Sequence, residues 1–259
     1  MTQLRPLDTR VTVLDVGQGQ PYWCGRANAH CSDTGGGDPD GANLATTTIL
    51  PYLRLHGIAE LDTLVISHPD LDHRAGAPAI LRALRVNRLR YGGEDLWSGK
   101  GRPCNAGESW RWPGGQVFRI LSPEPQAQDD SNDSSCVLQV LIGEYRLLLP
   151  GDIEANRERT LAQYWGDQLR SDWLLASHHG SRTSSSQTFL KRVAPQWVVI
   201  SSGYANQFGH PHPGVVQRLQ AHNIHILSTA LDGALEFELQ PGQSMRVKPY
   251  RRRAQRYWM

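Results

Sequence analysis

Short apolar runs recur along the chain, separated by longer amphipathic stretches and by Gly/Pro-rich turns. Residues 11–16 (VTVLDV) predict a strand that ends in the turn GQG at 17–19. Residues 61–67 (LDTLVIS) are too short for a helix and rich in β-branched side chains, so they predict a second strand. It runs straight into HPDLDH, and residues 75–85 then show a helical pattern. Further strands are predicted at 86–91, 116–121, 136–142 and 146–150, followed by a helix over 155–165. A strand at 172–177 leads into HHGS, a helix is expected near 185–193, and a strand at 196–201 precedes a GHPHP loop. A helix at 214–222 and strands at 224–228 and 234–239 complete the pattern. The alternation predicts an α/β protein with polar clusters just past its strand ends, where ligand sites form in such folds. The expected organisation is a short lead-in over 1–10, one domain over 11–240 and a basic tail over 241–259 whose RRRAQR (251–256) frays.

Composition narrows the class. With 259 residues, 39% hydrophobic and 20% charged, the chain can bury a core without disulfide staples. No apolar run approaches a membrane span, and TQLRPLDTR after Met1 has no apolar core of a signal peptide. A net charge of +2 gives no argument from bulk charge for nucleic-acid binding. Four cysteines form no CxxC pair and no zinc-finger spacing, whereas the ten histidines cluster.

The first cluster is H-x-D-x-D-H, with His68, Asp70, Asp72 and His73 on one loop after a strand. Alternate residues of an extended segment point the same way, so His68, Asp70 and Asp72 can converge, and His73 opens the next helix. Imidazole with carboxylate suits first-row divalent metals. The competing reading is a polar loop capping a helix. Asp152, at the end of an apolar strand in LLLPGDIE, is either a carboxylate able to bridge two metals or a helix cap. His178 and His179 follow another strand, and His210 and His212 sit on a loop stiffened by prolines. Each alone has an ordinary structural explanation. Three strand-end loops bearing His and two bearing Asp (Asp33, Asp152) are harder to explain that way.

In order, DVGQG, SDTGGG, SHPDLDH, SNDSS, PGDIE, SHHGS and GHPHP resemble the metallo-β-lactamase fold. More narrowly they resemble the C-terminal domain of the ComEC family of DNA-internalisation competence channels. The resemblance implies a four-layer αββα sandwich with a metal site along one edge of two sheets. It implies the metal ligands His68, Asp72, His73, Asp152 and His179. The wider fold has His where Asp70 stands, and a further His near SNDSS (131–135). One metal position then keeps Asp72, His73, Asp152 and His179, and a second has only His68, Asp70 and shared Asp152. Such oxygen-rich donor sets favour Mn²⁺ over Zn²⁺, with Mg²⁺ a further candidate, for one or two ions.

The activity implied is a metal-dependent phosphodiesterase acting on DNA, single-stranded in this reading, with Asp72 at the reacting centre. His178, His210 and His212 are candidates to donate a proton to the leaving oxygen or to bind phosphate, and Asn132, Ser135 and Ser181 to donate hydrogen bonds to it. Arg74, Arg182 and Arg251–Arg253 are candidate phosphate contacts. The resemblance also implies attachment to a membrane channel and a place on the outer face of the inner membrane. Two alternatives remain: a small-molecule hydrolase of lactonase or β-lactamase type, and an inactive DNA-binding remnant.

Residues 21–32 (PYWCGRANAHCS) depart from the pattern, because the fold wants an alternating β-hairpin there. The amphipathic peptide AVLVRTRKRTLLYD can be encoded so that loss of its first base gives PYWCGRANAHCS, and loss of two later bases restores Asp33. A compensated frameshift accounts for the segment, against ordinary loop divergence. It predicts an irregular loop or broken strand at 21–32, and gives Cys24, His30 and Cys31 no role as metal ligands.

Overall fold

The computed structural model describes residues 9–17, 22–25, 29–97, 99–124 and 132–253, with backbone alone at 22–25 and 252–253. In chain order the first half contains β1 (Thr9–Val13), β2 (Tyr22–Gly25), β3 (Ala29–Ser32), α1 (Leu50–Leu55), β4 (Glu60–Ile66), α2 (Leu71–Arg74), α3 (Ala77–Ala83), β5 (Arg85–Tyr91) and β6 (Arg102–Pro103). Then come β7 (Ser109–Arg111), β8 (Val117–Ser122), β9 (Val137–Ile142), β10 (Tyr145–Leu149), α4 (Ala155–Trp165), β11 (Trp173–Leu175), α5 (Gln187–Val193) and β12 (Trp197–Ile200). The last elements are α6 (Pro213–Ala221), β13 (His225–Ser228), α7 (Thr229–Asp232), β14 (Leu235–Leu239), β15 (Arg246–Pro249) and α8 (Tyr250–Arg253).

The strands form two sheets, ordered β15-β14-β1-β2-β3-β4-β5-β6 and β13-β12-β11-β10-β9-β8-β7. Each sheet is antiparallel in one part and parallel in the other: β3 to β6 run parallel in the first, β10 to β13 in the second. Side-chain alternation explains the layering. Leu147, Leu149, Trp173, Leu175 and Val199 of the second sheet meet Val11, Val13, Val65 and Phe237 of the first in one apolar cluster. Their neighbours Leu64 and Ile66 pack outward against α1 and α3, with Leu53 and Ile80. Leu148, Leu174, Val198 and Ile200 pack outward beneath α4, α5 and α6, with Leu161, Phe189 and Leu219. Strands buried on both faces read as continuous apolar runs, as β4 and β10 to β12 do. The result is the four-layer αββα sandwich that the motif order implies.

The structure departs from the sequence pattern in three places. The described parts of 21–32, residues 22–25 and 29–32, are strands rather than irregular loop: β2 pairs antiparallel with β1 and with β3, and β3 pairs parallel with β4. Ladder hydrogen bonds use only backbone groups, so flanking strands can template a hairpin whatever its side chains. Alternation is also not required, since all four residues of β3 are buried. Pro21 and the side chains of Tyr22, Trp23 and Cys24 lie outside the described residues. β15 pairs with β14 and carries the first sheet to Pro249, within the segment read as a tail. Arg251 forms an ion pair with Asp15 at 2.8 Å, and residues 254–256 of the expected frayed end lie outside the described residues. Cys104 and Cys136 form a disulfide, which the cysteine spacing did not suggest.

Candidate metal centre

The clustered residues occupy the carboxyl ends of β3, β4, β10, β11 and β12. Four of them, Asp72, His73, Asp152 and His179, bring ligand atoms within 4.8 Å of one another. His73 Nε2 lies 3.3 Å from Asp152 Oδ2 and 3.6 Å from Asp72 Oδ2. His179 Nε2 lies 3.4 Å from Asp152 Oδ2 and 3.3 Å from Asp72 Oδ2. Donors about 2.1 Å from a tetrahedral ion are about 3.4 Å apart, so these spacings match a shared ion. The Nε2 atoms of His73 and His179 are buried and form no hydrogen bond among the described residues. Two buried nitrogens facing two carboxylates fit a first-row divalent cation.

The fold aims these nitrogens. His73 donates through Nδ1 to Asp33 Oδ2 at 2.9 Å, and Asp33 also accepts from the Ser67 backbone N–H at 2.7 Å. His179 donates through Nδ1 to the Ser201 carbonyl at 2.8 Å. With Nδ1–H committed, each Nε2 lone pair is left to face the centre. Both His178 and His179 are left-handed, at φ 49° and 54°. Such strain is of order 1–3 kcal/mol per residue and persists only where surrounding bonds hold it. Gly151, before Asp152, has φ +62°, and a Cβ there would meet Ser135 at 2.8 Å. Only glycine fits this turn.

His68 and Asp70 pair with each other at 3.5 Å and lie outside the four-residue group. His178 faces Asp152 at 3.8 Å through Nε2 and Glu154 at 3.5 Å through Nδ1. The His210 ring lies 5.8 Å from His178 and 6.2 Å from His179. His212 caps α6, its Nδ1 accepting from the Gly214 N–H at 3.1 Å. Ser135, read as a substrate contact, is fully buried: its hydroxyl donates to the Asn132 carbonyl and accepts from the Asp152 N–H. The hydroxyl thereby ties down Asp152. Ser181 shares its hydroxyl with Thr183 at 3.1 Å. Arg74 donates to the Pro69 carbonyl, while Arg182 is exposed. Asp33, Ser67 and Glu154 were not among the candidate site residues. The DTGGG motif pointed to Asp33, but nothing local marks the other two.

Burial pushes the Asp152 carboxyl up, and the imidazoles of His73 and His179 outweigh it, leaving it well below the usual range. Burial lowers His73, but Asp152 and Asp33 hold it well above the ordinary imidazole value. His179 is raised as well: burial lowers it, and Asp152 and Asp72 prevail. The metal-free protein therefore keeps protons on these imidazoles further into neutral pH, and a cation must displace them. Mn²⁺ uptake is expected to release protons and to tighten as pH rises from 6 to 8, checked by calorimetry in buffers of different ionisation enthalpy. Uptake with no pH dependence speaks against His73 and His179 as ligands.

Comparison with known proteins fits this geometry. Residues 33–203 match the family model described as the metallo-beta-lactamase superfamily. The chain is 40% identical over 247 residues to "Competence protein ComA" of Neisseria gonorrhoeae, covering 94% of this chain and 34% of that protein. It is 36% identical over 232 residues to "Recombination protein 2" of Haemophilus influenzae, covering 89% of this chain and 29% of that protein. The chain thus spans about a third of these relatives. Among solved structures, a putative metal-dependent hydrolase from Parabacteroides distasonis superposes with a TM-score of 0.57 at 12% identity, covering 89% of this chain and 98% of that one. A domain model matching most of the chain, on a two-sheet sandwich with His/Asp donors at its strand ends, shows that this protein belongs to the metallo-beta-lactamase superfamily.

Proposed function

We propose that this superfamily hydrolase is a metal-dependent phosphodiesterase that cuts single-stranded DNA in a DNA-uptake system. The observation that carries the reading is the four-donor cluster on a chain 40% identical to a competence protein. Asp72, His73, Asp152 and His179 would hold the ion, Mn²⁺ by the balance of oxygen to nitrogen, with His68 and Asp70 as a second, poorer position. A divalent ion bound there supplies Lewis acidity and lowers the pKa of water enough for hydrolysis near neutral pH.

The chain's own residues do the rest. His178 lies beside the donors, with Glu154 and Asp152 near its two ring nitrogens, and is the candidate to give a proton to the leaving oxygen. His210 is lowered by burial and by His179 and His178, so it is a neutral donor to a phosphate oxygen. His212 holds the start of α6 and thereby the His210 loop. Asn132 and Ser181 remain candidate hydrogen-bond donors to the phosphate, and the exposed Arg182 offers charge to the strand. The Cys104–Cys136 disulfide supports an oxidising compartment, periplasmic or extracellular, as a channel-attached domain would have. No helix among the described residues is long and apolar enough to cross a membrane.

With Mn²⁺, a single-stranded oligonucleotide is expected to be cut, and nitrocefin and lactones are expected to remain intact. Binding should weaken with rising salt, because neutralised phosphates release counterions. Lactone turnover without cleavage of DNA would move the assignment to the small-molecule class.

A further inference from the structure

We infer that the loop over residues 203–209 is a base-stacking platform, on which Phe208, with Tyr204 beside it in the loop, receives an unpaired nucleobase of the strand whose phosphate lies at the His/Asp cluster. The inference rests on the nuclease reading and specifies how that site holds its substrate.

Phe208 is 58% exposed and Tyr204 78% exposed. The fold does not need them there, because one side chain sets the loop's shape. Asn206 Nδ2 donates to the Gly203 carbonyl at 2.9 Å and to the His210 carbonyl at 2.6 Å. Asn206 Oδ1 accepts from the Phe208 N–H at 3.2 Å and from the His210 N–H at 3.0 Å. The aromatic rings are therefore displayed by the loop rather than packed beneath it.

Their position relative to the donors is the second observation. The Phe208 ring stacks on His210 at 5.8 Å with 26° between planes. His210 stacks in turn on His179 at 6.2 Å and 17°. Three near-parallel rings thus run from a metal donor out to solvent. Leu71, between Asp70 and Asp72 of the donor loop, is 52% exposed and adds a second apolar group beside the donors. A phosphate alone would call for neither. A nucleotide has both parts, a phosphate for the cluster and a flat π-face for the outer ring. Base-aromatic stacking tolerates any base, because each has such a face, and it needs a strand whose bases are not already paired.

The test uses the full chain with a 12-nucleotide single strand carrying 2-aminopurine, whose fluorescence falls on stacking, in Ca²⁺ so that binding is read without turnover. Wild type should quench the probe. The double variant Phe208→Ala, Tyr204→Ala should bind about ten-fold or more weakly and lose the quench. Phe208→Trp should retain both. An abasic strand should bind wild type as weakly as the ordinary strand binds the double variant. An unchanged melting temperature shows that the variants are folded, as the Asn206 bonds require. Equal binding of abasic and ordinary strands, or full quenching by the double variant, overturns the platform. If the wild type still cuts DNA in Mn²⁺ in that case, the nuclease reading stands and the platform alone fails. Wild type that neither binds nor cuts single-stranded DNA removes both.

Discussion

Replacing Asp152 with alanine should abolish both Mn²⁺-dependent stabilisation and cleavage of DNA. Asp152 Oδ2 is the atom on which the centre converges: His73, His179 and His178 approach it at 3.3, 3.4 and 3.8 Å. A bound ion stabilises developing charge by several kcal/mol, so its loss should lower the rate by about 10³-fold or more. A ligand present at a hundred times its dissociation constant adds about 2.7 kcal/mol to stability, and this increment should vanish in the variant. The metal-free fold should survive. His73 keeps Asp33 as a partner, and both imidazoles can shed a proton once the carboxylate is gone. His68→Ala should do less damage, because His68 stands outside the four-donor group. The check is a thermal melt with and without Mn²⁺, beside an oligonucleotide cleavage assay. An Asp152→Ala protein that still melts higher in Mn²⁺ would remove the centre from this place.

Replacing residues 21–32 with AVLVRTRKRTLLY should raise stability by several kcal/mol. Aligned back from Asp33, the new segment puts leucine at both His30 and Cys31. His30 is fully buried, its ring 5.2 Å from that of Phe118 between the sheets. Cys31, on the opposite face of β3, packs in the cluster with Leu64 and Ile66. A buried leucine contributes roughly 1.5–3 kcal/mol relative to an exposed one, and here two would fill apolar surroundings. The gain should grow in acid. Burial pushes His30 down to about 3, so the folded chain keeps it neutral while the unfolded chain protonates it near 6.5. Stability is then lost as pH falls below 6.5, at about 1.4 kcal/mol per unit until about 3, which is about 2 kcal/mol at pH 5. Urea midpoints at pH 7 and pH 5 measure both effects. A replaced chain no more stable than the original, with the same acid sensitivity, would show that the present segment is already the better fit to its slot.

The same segment shows where local pattern stops being informative. The absence of alternation in PYWCGRANAHCS predicts an irregular loop or a broken strand, yet β2 and β3 pair between β1 and β4. Alternation reports a strand with one wet face, and β3 has none. Elements whose burial is set by their own sequence were legible. α4 spans 155–165, as its period predicts, and β4, β9 and β14 fall within a residue or two of their expected bounds. β15, with a mixed pattern and no fully buried residue, carries no such signal and is a strand because β14 offers it an edge.

The metal centre divides the same way. The donor groups are legible in the motifs alone, since H-x-D-x-D-H, GDI, HHG and HPH are short stretches after apolar runs. A strand end delivers them to one rim of a sheet. Which of them meet depends on the packing of the two sheets. Asp72, His73, Asp152 and His179 come from three segments that follow β4, β10 and β11, and their spacing depends on how those strands lie across two sheets. Tertiary structure also turned Ser135 inward to hold Asp152, committed His212 to the start of α6, brought Asp33 to His73 across 40 residues, and closed Cys104 onto Cys136. All but the His212 cap are contacts between residues far apart in the chain. Periodicity and motif spacing encode the direction a side chain leaves its own strand or helix, not what the packed sheets place opposite it.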